Sequence, residues 1–184
     1  FNRVFDPEKP FFGPTKDYSV PSFAPVGEGW QISILGATHD QCGKRQESDP
    51  EIQEALIWHL KKKFLAKKEE LVDVEEINID ECELLIFAYG SAALSAKYAQ
   101  KMARELGYKV GLLRPRILWP FPEEKIRYLP SSCRRIIVPE PNQGQVIYVV
   151  QENAGKRDVV SLAQPNGERI EPKRILDFIT HQRW

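Results

Sequence analysis

No GxGxxG, GxxxxGK[ST] or HExxH occurs anywhere in the chain. The glycine-rich phosphate cradles of dinucleotide and P-loop folds, and the paired helical histidines of zinc proteases, therefore lack their mechanical parts. Neither sign of charge is in excess: 26 basic and 26 acidic side chains cancel over 184 residues. No global field draws the chain to nucleic acid or to an anionic membrane surface, and binding to either requires a local patch. No apolar run approaches the roughly 18 residues of a membrane span, and the first residues form neither a signal-peptide core nor an arginine-rich transit pattern. The expectation is a soluble, cytoplasmic protein with no nucleic-acid or membrane partner. The first residue is Phe1 rather than methionine, as expected of a piece of a longer polypeptide or of a processed one. Cysteine is scarce too. Cys42, Cys82 and Cys133 stand about 40 to 50 residues apart, an odd number with no CxxC pair, which suits a reducing compartment and ordinary buried or semi-buried thiols. No metal or cofactor follows from them.

What the chain does have, at its start, is proline and phenylalanine. Residues 1–29 contain five of each. Proline blocks helix interiors and sheet ladders, so the segment is expected to be extended or irregular. Disordered linkers are poor in aromatics, and Phe5, Phe11, Phe12 and Phe23 therefore predict an arm that lays its rings on this chain's own globular part or on a neighbour. Trp30 to Leu35 is a short strand candidate, followed by the glycine-bracketed loop GATHDQCGK. Ser48-Asp49-Pro50-Glu51 opens a helix, with a cap residue, a proline at the first position and acid in the first turn. Ile52, Ala55, Leu56, His59, Leu60 and Phe64 then fall on one helical face, and Lys61, Lys62, Lys67 and Lys68 on solvated ones.

From Glu70 the rhythm changes. VDVEEINI alternates with period two, as an edge strand with one wet face does. ELLIFAYG, GYKVGLLRP, RRIIVPEP and RDVVSL are apolar runs, and SAALSAKYAQKMAREL, GQVIYVVQEN and EPKRILDFIT carry helical patterns between and after them. Such alternation predicts an α/β fold of three layers, a five-stranded mixed and mostly parallel sheet between helices, with VDVEEINI antiparallel. In the helix after Ser91, Leu94, Tyr98, Met102 and Leu106 recur at four-residue steps beside Ala92, Ala96, Ala99 and Ala103, which lets it sit close to the sheet, and Gly107 ends it. The expected organisation is residues 1–69 as arm and connecting strand and helix, and 70–184 as a compact α/β domain.

Ligands of open parallel sheets sit beyond the carboxyl ends of the strands. Three loops belong there: Tyr89-Gly90-Ser91, Arg114-Pro115-Arg116 and Glu140-Pro141-Asn142-Gln143-Gly144. The first leads into a helix N-terminus that can hold an anion, with Arg114 as countercharge. The same residues also have structural roles: Ser91 as helix cap, Gly90 as turn, and Arg114 as partner of Glu140. Ser91 is no hydrolase nucleophile, because Tyr89 and Ala93 stand where a GxSxG elbow needs glycine. Cys42 with His39 and Asp40 has the residue types of thiol catalysis, but residues adjacent in sequence need not converge in space. His59 reads as a core histidine, and His181 has no specific role.

ELLIFAYGSAALSAKYAQKMARELGYKVGLLRPRILWPFPEEKI, RRIIVPEPNQGQ and the closing ERIEPKRIL resemble the C-terminal domain of the alpha subunit of 2-oxoacid:ferredoxin oxidoreductases, a domain of transketolase C-terminal-like fold. ILGATHDQCGKRQESDPEIQ is similar to the family's segment that joins this domain to the pyrimidine-binding half, although Thr38 stands where the family more often has an acid. The resemblance implies thiamine-diphosphate-dependent decarboxylation of a 2-oxoacid, 2-oxoglutarate first and pyruvate or a branched-chain acid next, with acyl-CoA formation and transfer of electrons through iron-sulfur clusters to ferredoxin. It also implies beta, gamma and ferredoxin-like delta subunits as partners, and thiamine diphosphate, Mg and clusters held elsewhere in the complex. No catalytic, cofactor or metal residue is carried onto this chain, which lacks a ferredoxin cysteine series. Pro115 and Pro120 are expected to fix the chain leaving a central strand, so that Trp119 and Phe121 form a rigid aromatic docking knob. Two alternatives stand beside this reading: a non-catalytic interaction or anion-binding module using Ser91 and Arg114, and a Cys42 thiol enzyme.

Overall fold

Asp49 starts the first helix, as the Ser48–Glu51 motif predicts: its carboxylate accepts from the backbone N–H groups of Glu51 (3.0 Å) and Ile52 (3.1 Å), with Pro50 at the first position of α1 (Pro50–Leu65). The computed structural model describes residues 24–29 and 36–181. Most of the aromatic arm and the Trp30–Leu35 strand candidate lie outside the described residues. The chain divides into two compact units, Phe1–Glu70 and Leu71–Trp184. In the first, α1 buries Leu56 and His59, while Leu60 (41% exposed) and Phe64 (37%), expected on the same inner face, are open to solvent. The ammonium groups of Lys61 and Lys62 lie 5.2 and 5.6 Å from the Trp58 ring. A four-residue helix, α2 (Lys68–Leu71), follows.

The second unit runs β1 (Val74–Ile77), β2 (Leu84–Phe87), α3 (Gly90–Glu105), β3 (Val110–Pro115), α4 (Glu123–Arg127), β4 (Arg135–Glu140), α5 (Val146–Asn153), β5 (Asp158–Ala163) and α6 (Pro172–His181). The strand order is β1-β3-β2-β4-β5. β1 pairs antiparallel with β3, and the other pairings are parallel, so the expected mixed sheet and its one antiparallel edge strand are found. Two apolar clusters cover the faces. Leu84, Ile86, Val110, Leu112 and Ile137 pack with α3 and α6, whereas Leu85, Phe87, Leu113, Ile136 and Val138 pack with α4 and α5. Burial on both faces is the reason β2 reads as the unbroken run LLIF. No helix among the described residues is long and apolar enough to cross a membrane.

α3 seats itself through its small residues. Ala92, Ala93, Ala96, Ala99 and Ala103 are buried, while Leu94 (58% exposed), Tyr98 (65%) and Leu106 (62%) face solvent with Met102 beside them. The stripe of large residues is therefore outside, because a methyl-sized surface lets the helix axis approach its neighbours closely and bulky side chains there would hold it off. Gly107, at φ +90°, ends the helix with its N–H on the Arg104 carbonyl at 2.9 Å. Ala99→Leu is expected to destabilise the chain by about 1–3 kcal/mol through overpacking, whereas Leu94→Ala changes stability by less than about 0.5 kcal/mol. Urea unfolding of the two variants checks the assignment of inner and outer faces.

Candidate functional site

The chain leaves β2 for α3 on one face of the sheet and leaves β4 for α5 on the other, although β2 and β4 are parallel neighbours. Diverging loops at the carboxyl ends of two adjacent strands open a crevice there. Tyr89 and Gly90 stand on one side and the loop from Glu140 to Gln145 on the other.

The crevice is organised around a carboxylate. Glu140, the last residue of β4, is completely buried. Oε1 accepts the Val146 N–H at 2.9 Å and the Tyr89 hydroxyl at 3.0 Å; Oε2 accepts the N–H groups of Gln145 at 3.1 Å and Ile147 at 3.2 Å. These are the N–H groups that α5 cannot satisfy internally, at the positive end of its dipole. Local sequence bends the chain back far enough for this. Asn142 Oδ1 accepts the Gly144 N–H at 2.7 Å, and Gly144 takes φ +93°, where a Cβ would lie 3.2 Å from Ile147 Cγ2. Burial, with the hydrogen bond to Glu140 next, pushes the Tyr89 phenol above its ordinary range.

The other expected site residues go elsewhere. Arg114 does not pair with Glu140. Its Nη1 donates to Glu75 Oε2 at 3.1 Å, because the antiparallel register sets Glu75 directly opposite Arg114. Lys97 of α3 also donates to Glu75, and this bond, joined by Arg114, outweighs the cost of burial and lowers the Glu75 carboxyl below its ordinary range. Ser91 does not cap α3: the cap position is Tyr89, no side chain closes it, and Ser91 sits exposed in the first turn after Gly90 at φ +54°. Arg114 is therefore committed to Glu75 rather than set as a countercharge to Ser91. The aromatic knob divides as well. Phe121 and Pro120 turn inward, with the Phe121 ring 5.6 Å from that of Phe87, and Trp119 alone is 64% exposed. Pro115 is the buried last residue of β3, opposite Val74. In the first unit, the Asp40 carboxylate accepts the N–H groups of Cys42 (2.9 Å) and Lys44 (3.0 Å), so it shapes a turn.

Sequence reasoning missed Tyr89 and Glu75 as partners, since both pairings depend on which strands are neighbours. A second concavity, about 660 Å³, lies at the opposite edge among the strand starts, with Leu84, Val110 and Ile179 in its lining. Four of its rim charges pair with one another, Lys109 with Glu83 at 2.9 Å and Arg135 with Asp158 at 2.6 Å. The N–H groups at the start of α5 are not open to a diphosphate, because they already hold Glu140.

Glu140→Ala leaves buried N–H groups without an acceptor and is expected to cost about 3 kcal/mol, against about 1 kcal/mol for Tyr89→Phe, in chemical unfolding. The raised phenol acts on stability in the alkaline range. Its contribution is fully present below about pH 10, the ordinary tyrosine value, and is lost as pH rises through its higher folded value. Tyrosine absorbance should accordingly show one group ionising late in the native chain, and ionising earlier, though still above the ordinary pH because burial remains, in Glu140→Gln.

Residues 82–175 match the family model of pyruvate:ferredoxin oxidoreductase core domain II. The chain is 36% identical over 161 residues to the 2-oxoglutarate synthase subunit KorA of Methanothermobacter marburgensis, across 87% of this chain and 42% of that protein. It is 37% identical over 123 residues to the ketoisovalerate oxidoreductase subunit VorB of the same organism, across 67% of this chain and 35% of that one. The fold superposes, with TM-score 0.70 and 21% identity, on a 2-oxoglutarate:ferredoxin oxidoreductase from Magnetococcus marinus solved with 2-oxoglutarate, coenzyme A and succinyl-CoA bound, covering 96% of this chain and 31% of that one. The chain spans less than half the length of the 2-oxoglutarate synthase subunits it matches at 42%, 45% and 47% of their lengths. Because the family match runs from Cys82, at the foot of β2, to Ile175 in α6, and so takes in the parallel strands and the crevice between them, the chain belongs to the pyruvate:ferredoxin oxidoreductase core domain II family.

Proposed function

We propose that this chain is part of the alpha subunit of a 2-oxoacid:ferredoxin oxidoreductase, which decarboxylates 2-oxoglutarate oxidatively to an acyl-CoA and passes the electrons to ferredoxin in the cytoplasm. The observation that carries the reading is the 36% identity to a 2-oxoglutarate synthase subunit across 87% of the chain; the similarity to a ketoisovalerate oxidoreductase subunit stops at 67%. Pyruvate and branched-chain oxoacids are the next candidates. In this reading the chain contributes assembly. Residues 70–184 form the transketolase C-terminal-like domain, and 1–69 carry the end of the pyrimidine-binding half. Thiamine diphosphate, Mg and the iron-sulfur clusters are held by other parts of the complex, which contains beta, gamma and ferredoxin-like delta subunits. Two features of the second unit favour an assembly role: its crevice is filled by its own Glu140, and it exposes Trp119 and the Leu94, Tyr98 and Leu106 stripe.

The test is anaerobic purification of the native protein followed by CoA-dependent viologen reduction with 2-oxoglutarate, pyruvate and 3-methyl-2-oxobutanoate in turn. Fastest reduction with 2-oxoglutarate, by a complex containing iron and thiamine diphosphate, is the expected result; a colourless chain inactive with all three overturns the reading. In the same complex Trp119→Ala is expected to weaken subunit association by about 2 kcal/mol, roughly thirtyfold, with the melting temperature of the chain itself unchanged. Loss of the fold instead assigns Trp119 to the interior.

A further inference from the structure

Two of the three cysteines meet in the core, away from the crevice. Cys82 (0% exposed) and Cys133 (2%) belong to the apolar cluster on the α4 and α5 face. Strand register brings them together. Leu84 pairs with Arg135, Leu85 with Ile136 and Ile86 with Ile137, and the same offset, taken two residues earlier, sets Cys82 opposite Cys133. The alignment persists ahead of the strands, where the Arg134 N–H donates to the Glu83 carbonyl at 2.9 Å and Ser132 Oγ donates to the Cys82 carbonyl at 2.9 Å. Adjacent strands run about 4.8 Å apart, inside the Cα separations of about 4.4 to 6.8 Å that a disulfide spans.

The surroundings treat the two sulfurs differently. Cys82 lies over bare backbone of β3: a Cβ on Gly111 would fall 3.0 Å from Cys82 Cβ, 3.2 Å from its Sγ and 3.0 Å from the Asn78 carbonyl. Cys133 lies beside a cation. Arg157 Nε donates to the Cys133 carbonyl at 3.1 Å and Nη1 to the Ala154 carbonyl at 3.1 Å, while Nη2 binds the Leu129 carbonyl. The Cys133 thiol donates to the Arg135 carbonyl at 3.6 Å. The neighbouring Cys82, joined by the charge of Arg157, holds Cys133 below the ordinary thiol range against the effect of its burial; Cys133 and burial push Cys82 up.

We propose that Cys82 and Cys133 form a hydroperoxide-responsive dithiol site, in which Cys133 takes up oxygen and Cys82 resolves it to an intramolecular disulfide across the starts of β2 and β4. The Cys133 thiolate attacks one peroxide oxygen. An S–O bond forms as the O–O bond breaks, and the departing oxygen takes a proton and leaves as water or an alcohol. The sulfur loses two electrons and the peroxide gains them. The Cys82 sulfur then displaces the hydroxyl of the sulfenic acid, and its proton leaves with that hydroxyl as water.

The test uses the full native protein, isolated without oxygen, in a Cys42→Ser background that removes the exposed thiol. After treatment with hydrogen peroxide it is unfolded, alkylated and mapped by mass spectrometry. The expected product is a Cys82–Cys133 cross-linked peptide, lighter by two hydrogens and returned to two alkylatable thiols by dithiothreitol. In Cys82→Ala, dimedone should trap a sulfenic acid on Cys133, forming about tenfold or more faster than any on Cys82 in Cys133→Ala. Recovery of both cysteines as free thiols, after peroxide has oxidised methionine elsewhere in the protein, overturns the proposal without recourse to a core variant. Equal oxidation rates in the two alanine variants overturn the assignment of Cys133 as the attacking sulfur.

Discussion

A carboxylate with no exposure to water has to be surrounded by donors, and Glu140 finds them in two segments that the fold brings from far apart: the first turn of α5, five to seven residues on, and Tyr89 at the end of β2. Other features of the carboxyl edge follow from that arrangement. The Asn142 to Gly144 turn exists to fold the chain over the carboxylate, the entry of α5 is set by it, and Tyr89 is tied to a strand it does not belong to. A helix N-terminus that is usually offered to a ligand is satisfied from within. At the position where open sheets of this type bind their ligands, this domain has a closed electrostatic joint.

Charge is handled in the same way toward the antiparallel edge of the sheet. Glu75 gathers Arg114 and Lys97, joining β1, β3 and α3, so that the conspicuous arginine of the LLRPR stretch is committed to the edge strand. The apolar surface is handled differently. α3 turns its alanines to the sheet and leaves Leu94, Tyr98 and Leu106 outside, and the tight turn after β3 buries Pro120 and Phe121 while leaving Trp119 exposed. Large side chains left outward while small ones do the packing are the pattern of a domain that belongs to a larger body, which agrees with the assembly role proposed for it.

Much of the fold was legible in the sequence. The continuous runs LLIF and VGLL reported strands buried on both sides, VDVEEINI reported a half-wet edge, and the alanines of α3 reported a close helix, because each pattern is a direct record of how much of a residue's surroundings is protein. The candidate site was legible only in outline. The three loops of the carboxyl edge were found from topology, yet Ser91 and Arg114 were given partners they do not have. Pairing depends on register and on which strand lies beside which, and neither is written in the local pattern. Trp119 and Phe121 lie two residues apart with nearly equal apolarity, and only the path of the chain between them sends one outward and the other against Phe87.

The meeting of Cys82 and Cys133 makes the same point, since 51 residues separate them in the chain and a single register brings them together. Taken by itself, the sequence determined the alternation of elements, the layered class of the fold, the helix starts at Asp49 and the stop at Gly107, since propensity, capping and burial act within a few residues. Only the tertiary structure decided which charges pair, which aromatic is exposed and what occupies the crevice, because those outcomes depend on groups distant in the chain that become neighbours when the sheet is assembled.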